Sequence, residues 1–189
     1  MKMSKMIGYT IFFFDNVAST MDVARTLCEK ENEFVVVAKK QTHGRGRQGR
    51  AWISNEGGLW MSVAWRNVDE KMLRYLFIIV AKAVVDTLEQ FGIVSRIKLP
   101  NDIYVKKSKI GGILIENLSL CVIIGIGINV NNTLDETMDD ATSCKEILGK
   151  NLEVESVLAC LLKNLQQVRK EFKLNAEGFL SSVKGYLLK

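Results

Sequence analysis

Apolar and polar positions change rhythm several times along the chain, and each change marks an element boundary. Residues 7–14 form a short β-rich apolar run that predicts a strand. Ser19 stands three positions before Asp22, the form of a helix start, so a helix is expected from there to about residue 32. A buried strand follows at 34–38, then a polar, glycine-bearing loop over 39–55. Residues 59–65 alternate as a strand does, whereas 70–91 repeat on a helical period and end at Gly92. Four further strands are expected at 94–99, 103–105, 110–117 and 120–130, with turns at 106–109 and 117–119. Beyond Thr142 the pattern is helical at 144–148, 154–174 and 176–187. Strands grouped in the middle with helices before and after define an α+β chain. The expected architecture is a mixed, mostly antiparallel sheet with helices packed on one side, in a single domain over 1–189.

Composition narrows the class. At 189 residues, 48% hydrophobic and 25% charged, the chain has the make-up of an ordinary globular domain, which excludes disordered, collagen-like and coiled-coil sequences. The apolar run 76–94 carries Lys82, Asp86 and Glu89 on a helical period and reads as a buried amphipathic helix, not a membrane span. Asp15 and Asn16 interrupt the weakly signal-like start. Cys28, Cys121, Cys144 and Cys160 show no CxxC pair and no disulfide framework, so each is expected to pack as a small apolar residue, in a reducing, cytoplasmic compartment. With one histidine, a Cys/His zinc site is not expected.

The net charge of +5 is unevenly placed. Three of the arginines, Arg45, Arg47 and Arg50, share one hexapeptide, while acidic residues gather at Asp135, Glu136, Asp139 and Asp140. Nine of the fourteen glycines fall in two stretches, 44–58 and 111–127, where the backbone must bend sharply or approach something closely. Gly44-Arg45-Gly46-Arg47-Gln48-Gly49 formally matches GxGxxG, but a strand and not a helix follows it, so the dinucleotide fingerprint is rejected; a Walker A loop is absent. Such a loop suits a small anionic ligand: glycines let it fold over, guanidiniums offer forked donors, and Trp52 offers a stacking face. A solvated basic loop, or one touching nucleic-acid phosphates, is the plainer alternative. Lys98-Leu99-Pro100-Asn101-Asp102 leads through a hairpin to Lys109-Ile110-Gly111-Gly112, where an ammonium beside open backbone suits a carboxylate. Asp102 could orient a nucleophile or hold magnesium, or Asn101 and Asp102 could be turn residues after proline. A third stretch, 125–131, reads as a buried strand ending in polar amides.

In order along the chain, Ser19-Thr20, Gln41, the 44–52 loop with Trp52, Gly57-Gly58, the 98–102 and 109–112 segments, Gly125-Ile126-Gly127-Ile128-Asn129 and Ala141-Thr142-Ser143 resemble the biotin protein ligases, which share their fold with lipoate ligases and class II aminoacyl-tRNA synthetases. The resemblance implies activation of biotin with MgATP to biotinyl-5′-AMP and transfer of the biotinyl group to a lysine of a biotin carboxyl carrier protein or domain. It implies that Ser19, Thr20, Gln41, backbone at Arg45, Gly46 and Arg47, and Gly112 hold biotin. Arg47 and Lys109 would neutralise the two anions, and Asp102 would receive the acceptor lysine. Arg50, Trp52, Asn101 and Asn129 would face the adenylate. Ser19 could equally cap its helix and Asn129 end its strand.

The chain departs from the family pattern in four places. Met21 replaces the usual asparagine and Leu99 the usual tryptophan. No helix-turn-helix precedes residue 7, so DNA binding is not expected. The C-terminal SH3-like domain of relatives is not expected within residues 1–189, and a separately encoded partner or a shortened chain could explain it. A ligase for another acid such as lipoate, or a protein that only binds biotin or its adenylate, remain the alternative readings.

Overall fold

The computed structural model describes residues 1–134 and 140–188. Eight strands form one sheet: β1 (Lys2–Met6), β2 (Tyr9–Val17), β3 (Phe34–Gln41), β4 (Leu59–Trp65), β5 (Arg96–Lys98), β6 (Asp102–Val105), β7 (Ser108–Asn117) and β8 (Val122–Ile128). Their order is β1-β2-β3-β4-β8-β7-β6-β5. Every pairing is antiparallel except that of β2 with β3, which are joined by α1 (Thr20–Leu27). The fold is therefore the expected α+β arrangement around a mixed, mostly antiparallel sheet.

Period-two alternation decides what lies on each side. On β4 and β8, Leu59, Met61, Val63, Ile124, Ile126 and Ile128 point to the main core. Helices α2 (Glu70–Gln90), α4 (Val154–Leu174) and α5 (Ala176–Val183) cover that face. Asp69 caps α2 by accepting from the Met72 amide at 2.7 Å, and Ser143 with Glu146 forms a reciprocal capping box on α3 (Cys144–Leu148).

The layering differs from the expectation at one helix. Met21, Ala24 and Cys28 of α1 pack with Phe12, Phe34, Val36, Ala64 and Ile123, a second, smaller cluster on the opposite face of the sheet. The parallel β2–α1–β3 connection carries α1 across that face. Three further differences concern β1, element lengths and one cysteine pair. β1 shows no apolar rhythm because it is an exposed edge, turned back onto β2 through Ile7 and Gly8, both at positive φ. Several elements are shorter than expected: α1 ends at Leu27, β5 and β8 span only Arg96–Lys98 and Val122–Ile128, and α5 ends at Val183, after which Leu187 bridges Ile97 on β5. Finally, Cys28 and Cys121, expected as separate small apolar residues, stand sulfur against sulfur in the second cluster, with Cα atoms 6.5 Å apart. Their separation of 93 residues left no local spacing to read; packing of α1 over the start of β8 brings them together. Cys144 and Cys160 are free. Among the described residues no helix is long and apolar enough to cross a membrane.

Candidate active site

The open face of the sheet centre lacks bulk. Gly112 on β7 faces Gly127 on β8, which faces Trp60 on β4; one pair further along, Ser62 faces Gly125. A Cβ on Gly127 would lie 2.7 Å from the Trp52 indole nitrogen, and one on Gly112 would lie 2.9 Å from the same ring. At Gly125 a Cβ would meet the Met21 sulfur at 2.8 Å. These three glycines make a floor on which Met21 and Trp52 can lie, and that close approach is the reason glycine is needed there.

A cavity of about 530 Å³ stands over this floor, between α1, the 44–52 loop and the β6–β7 hairpin. At its α1 end the groups are neutral and polar. Ser19 caps α1 by accepting from the Met21 amide. The Thr20 amide donates to Gln41 Oε1 at 2.8 Å, Thr20 Oγ1 lies 2.8 Å from Ser62 Oγ, and Gln41 Nε2 donates to Ser54 Oγ at 2.7 Å. Ser54 then donates to the Trp52 carbonyl, so a chain of hydroxyls and one amide ties α1 to the base of the loop.

The opposite end is cationic. Lys109 Nζ lies 2.6 Å from Asp102 Oδ1 and 5.0 Å from the centre of the Trp52 ring. Arg47 Nη1 reaches Asn101 Oδ1 at 3.4 Å, a long and exposed contact. Lys98 donates to the Tyr104 hydroxyl at 3.2 Å, and that hydroxyl donates to Asp140. The Tyr104 hydroxyl, with the charges of Asp102 and Asp140 behind it, holds the Lys98 ammonium above its ordinary range. The Trp52 indole N–H is buried beside the glycine floor without a partner. Such a donor costs free energy unless an acceptor meets it.

The cavity lining brings together Ser19, Thr20, Gln41, Arg45, Gly46, Arg47, Arg50, Trp52, Asn101, Asp102, Lys109 and Gly112. Asn129 stands apart. It is buried just past β8, where its amide donates to the Thr142 carbonyl and its Oδ1 accepts from Asn132. Asp135, Glu136 and Asp139 lie outside the described residues. Sequence reasoning missed Ser54, which has no local motif and is positioned by its bridge to Gln41, and the role of Tyr104 beside Lys98.

Among the described residues no three metal-ligating side chains converge, and Asp102, the one carboxylate lining the cavity, is committed to Lys109. Among the described residues this donor set does not fit a protein-held Mg²⁺.

The polar pocket thus leads over bare glycine backbone to an end that carries Lys109 and Arg47. Residues 13–129 match the model of the Biotin/lipoate A/B protein ligase family, and the chain belongs to that family. It is 36% identical over 178 residues to the bifunctional ligase/repressor BirA of Bacillus subtilis, a match covering 85% of this chain and 55% of that one. The chain thus spans about half the length of the curated relative it matches. Biotin protein ligase from Aquifex aeolicus, solved with biotin and ATP, superposes with a TM-score of 0.86 at 34% identity, covering 94% of this chain and 78% of that one. The enzyme from Leishmania major with biotinyl-5-AMP gives 0.85 at 30% identity, covering 95% and 83%.

Proposed function

We propose that this chain is the catalytic domain of a biotin protein ligase. It condenses biotin with ATP to biotinyl-5′-AMP and passes the biotinyl group to a lysine of a biotin carboxyl carrier domain. The observation that carries the reading is the division of the cavity into a neutral hydroxyl–amide end and a cationic end, joined by the glycine floor.

A ureido ring needs donors and acceptors at fixed positions, and Ser19, Thr20 and Gln41 supply them from a prebuilt network. The floor lets the acid's chain run flat against strand backbone toward Lys109. There the carboxylate oxygen attacks the α-phosphorus, an acyl–phosphate bond forms, and pyrophosphate leaves. Two anions meet in that step, and Lys109 and Arg47 offset their repulsion. Arg50, Asn101 and the unpaired Trp52 N–H serve the nucleotide. In the second step the carrier amine attacks the acyl carbonyl and AMP leaves. Asp102, released from Lys109, takes up the amine's proton. Magnesium enters with ATP, and no step here requires the protein to ligate it. Asn129 supports the adenylate only indirectly, by fixing the backbone that follows Gly127.

Mass spectrometry after incubation with MgATP and either biotin or lipoate tests this. Biotinyl-adenylate is expected, with label transfer when a carrier domain is added, and Lys109→Met is expected to slow adenylate formation about 10²–10³-fold without loss of fold. Lipoyl-adenylate alone would replace biotin by another acid. Normal turnover of Lys109→Met would remove the assigned role.

A further inference from the structure

The arginines of the 44–52 loop differ in what holds them. Arg47 and Arg50 are exposed, and among the described residues their side chains hydrogen-bond only Asn101 and Gln48. They belong to a tip in which Gln48 and Gly49 both have positive φ. Arg45 instead reaches across to two other elements. Its Nη2 lies 3.0 Å from Asp22 Oδ1 on α1 and 3.3 Å from Glu116 Oε1 on β7, ion pairs without hydrogen-bond geometry, with side-chain exposures of 34% for Arg45, 49% for Asp22 and 23% for Glu116. Glu116 is also held by Arg25 of α1 at 2.7 Å. The backbone around Arg45 is paired as well: Arg45 bridges Ala51, the Gly46 amide donates to the Arg50 carbonyl, and the Trp52 amide donates to that of Gly44. Neither Asp22 nor Glu116 lines the site cavity.

We propose that Arg45 is a positioning residue, a latch that fastens the inner limb of the loop to α1 and β7, so that only the tip from Arg47 to Arg50 swings over a bound ligand. The latch sets where Trp52 and Arg47 stand and touches no reacting atom through its guanidinium. Two carboxylates against one guanidinium form a network, which holds geometry better than an isolated surface pair and weakens as salt rises. The consequence for ligand retention rests on the function proposed above; the structural consequence does not.

Trypsin supplies a direct reading, because it must take an arginine side chain into its own pocket. In the unsubstituted protein cleavage is expected after Arg47 and Arg50, with the Arg45–Gly46 bond protected. Asp22→Asn with Glu116→Gln removes both carboxylates and is expected to speed cleavage at Arg45–Gly46 about fivefold, roughly 1 kcal/mol at 1.4 kcal/mol per factor of ten. Arg25→Gln, which leaves Arg45 both of its partners, is the control for general loosening and should leave that bond protected. Raising salt should speed cleavage after Arg45 in the unsubstituted protein and not in the double variant. Biotin release, followed by tryptophan fluorescence, is expected to quicken by a similar factor in the double variant. Equal cleavage at Arg45–Gly46 in both proteins overturns the latch. Altered cleavage with unaltered biotin release overturns its role in retention. Failure of the unsubstituted protein to bind biotin overturns the proposed substrate while the digestion still decides the latch.

Discussion

The covered and open faces of the sheet centre use the same strands and opposite residue classes. On β8, Val122, Ile124, Ile126 and Ile128 enter the main core beneath α2 and α4, while the residues between them are Ile123, Gly125 and Gly127. On β4, Leu59, Met61, Val63 and Trp65 face the helices; Trp60, Ser62 and Ala64 face the other way. One face is filled to exclude everything, the other is thinned so that a loop, a helix end and a ligand can approach the backbone. Stability and function therefore alternate residue by residue along a single strand, and neighbouring substitutions should fail in different ways.

The largest separation is expected between Ile124 and Gly127. Ile124→Ala leaves a hole under the helices and should cost about 2–5 kcal/mol of stability by denaturant melts, with ligand affinity of the folded fraction unchanged. Gly127→Val puts atoms where the Trp52 indole lies, because its Cβ alone would come within 2.7 Å of the ring nitrogen. That variant should fold and lose about a hundredfold in affinity, roughly 2.7 kcal/mol, read by calorimetry. If both variants lost stability alone, the open face would be ordinary core.

The same alternation explains what could be read in advance. Some bounds came through: those expected for β4, α3 and α4 coincide with those found, α3 because the Ser143–Glu146 capping box and Gly149 frame it, β4 and α4 because buried positions recur along them. The site motifs were legible because glycine, arginine and tryptophan clusters are rare in one short stretch. Features decided by partners distant in the chain were not. The Cys28–Cys121 pair, the Ser54–Gln41 hydrogen bond and the pairing of Arg45 with Glu116 exist only once α1 and the loop have crossed the sheet. Asn129 has the composition of a ligand-facing amide, and its hydrogen bonds to the Thr142 carbonyl and from Asn132, which no local spacing announces, are set by the turn after β8.

An intermediate effect belongs to the seam between the faces. Thr20→Val keeps the shape of α1's first residue and removes its hydroxyl from Ser62 and Gln41. Ser62 is fully buried, so its hydroxyl is left without that partner, and a loss of about 1–3 kcal/mol in stability is expected. Biotin affinity should fall by more than the stability loss alone requires, since Gln41 is then free to turn. A variant that melts early but binds normally would make the network a structural tie only.

The smallest effect at neutral pH is on the covered face, because it appears only in alkali. Burial pushes the Cys144 thiol up from 9.0 to about 12. Below pH 9 the folded and unfolded chains both hold the proton, so this group adds no pH dependence. Between pH 9 and 12 the unfolded chain releases a proton that the folded chain keeps, and stability must fall as pH rises, by at most about 1.4 kcal/mol per pH unit. Cys144→Ala removes that slope, so the stability difference between the unsubstituted protein and this variant should be constant up to about pH 9 and then shift in the variant's favour. A difference that stayed constant to pH 11 would mean that the thiol titrates as it does in water, and that the helix-covered face is wetter at α3 than its packing implies.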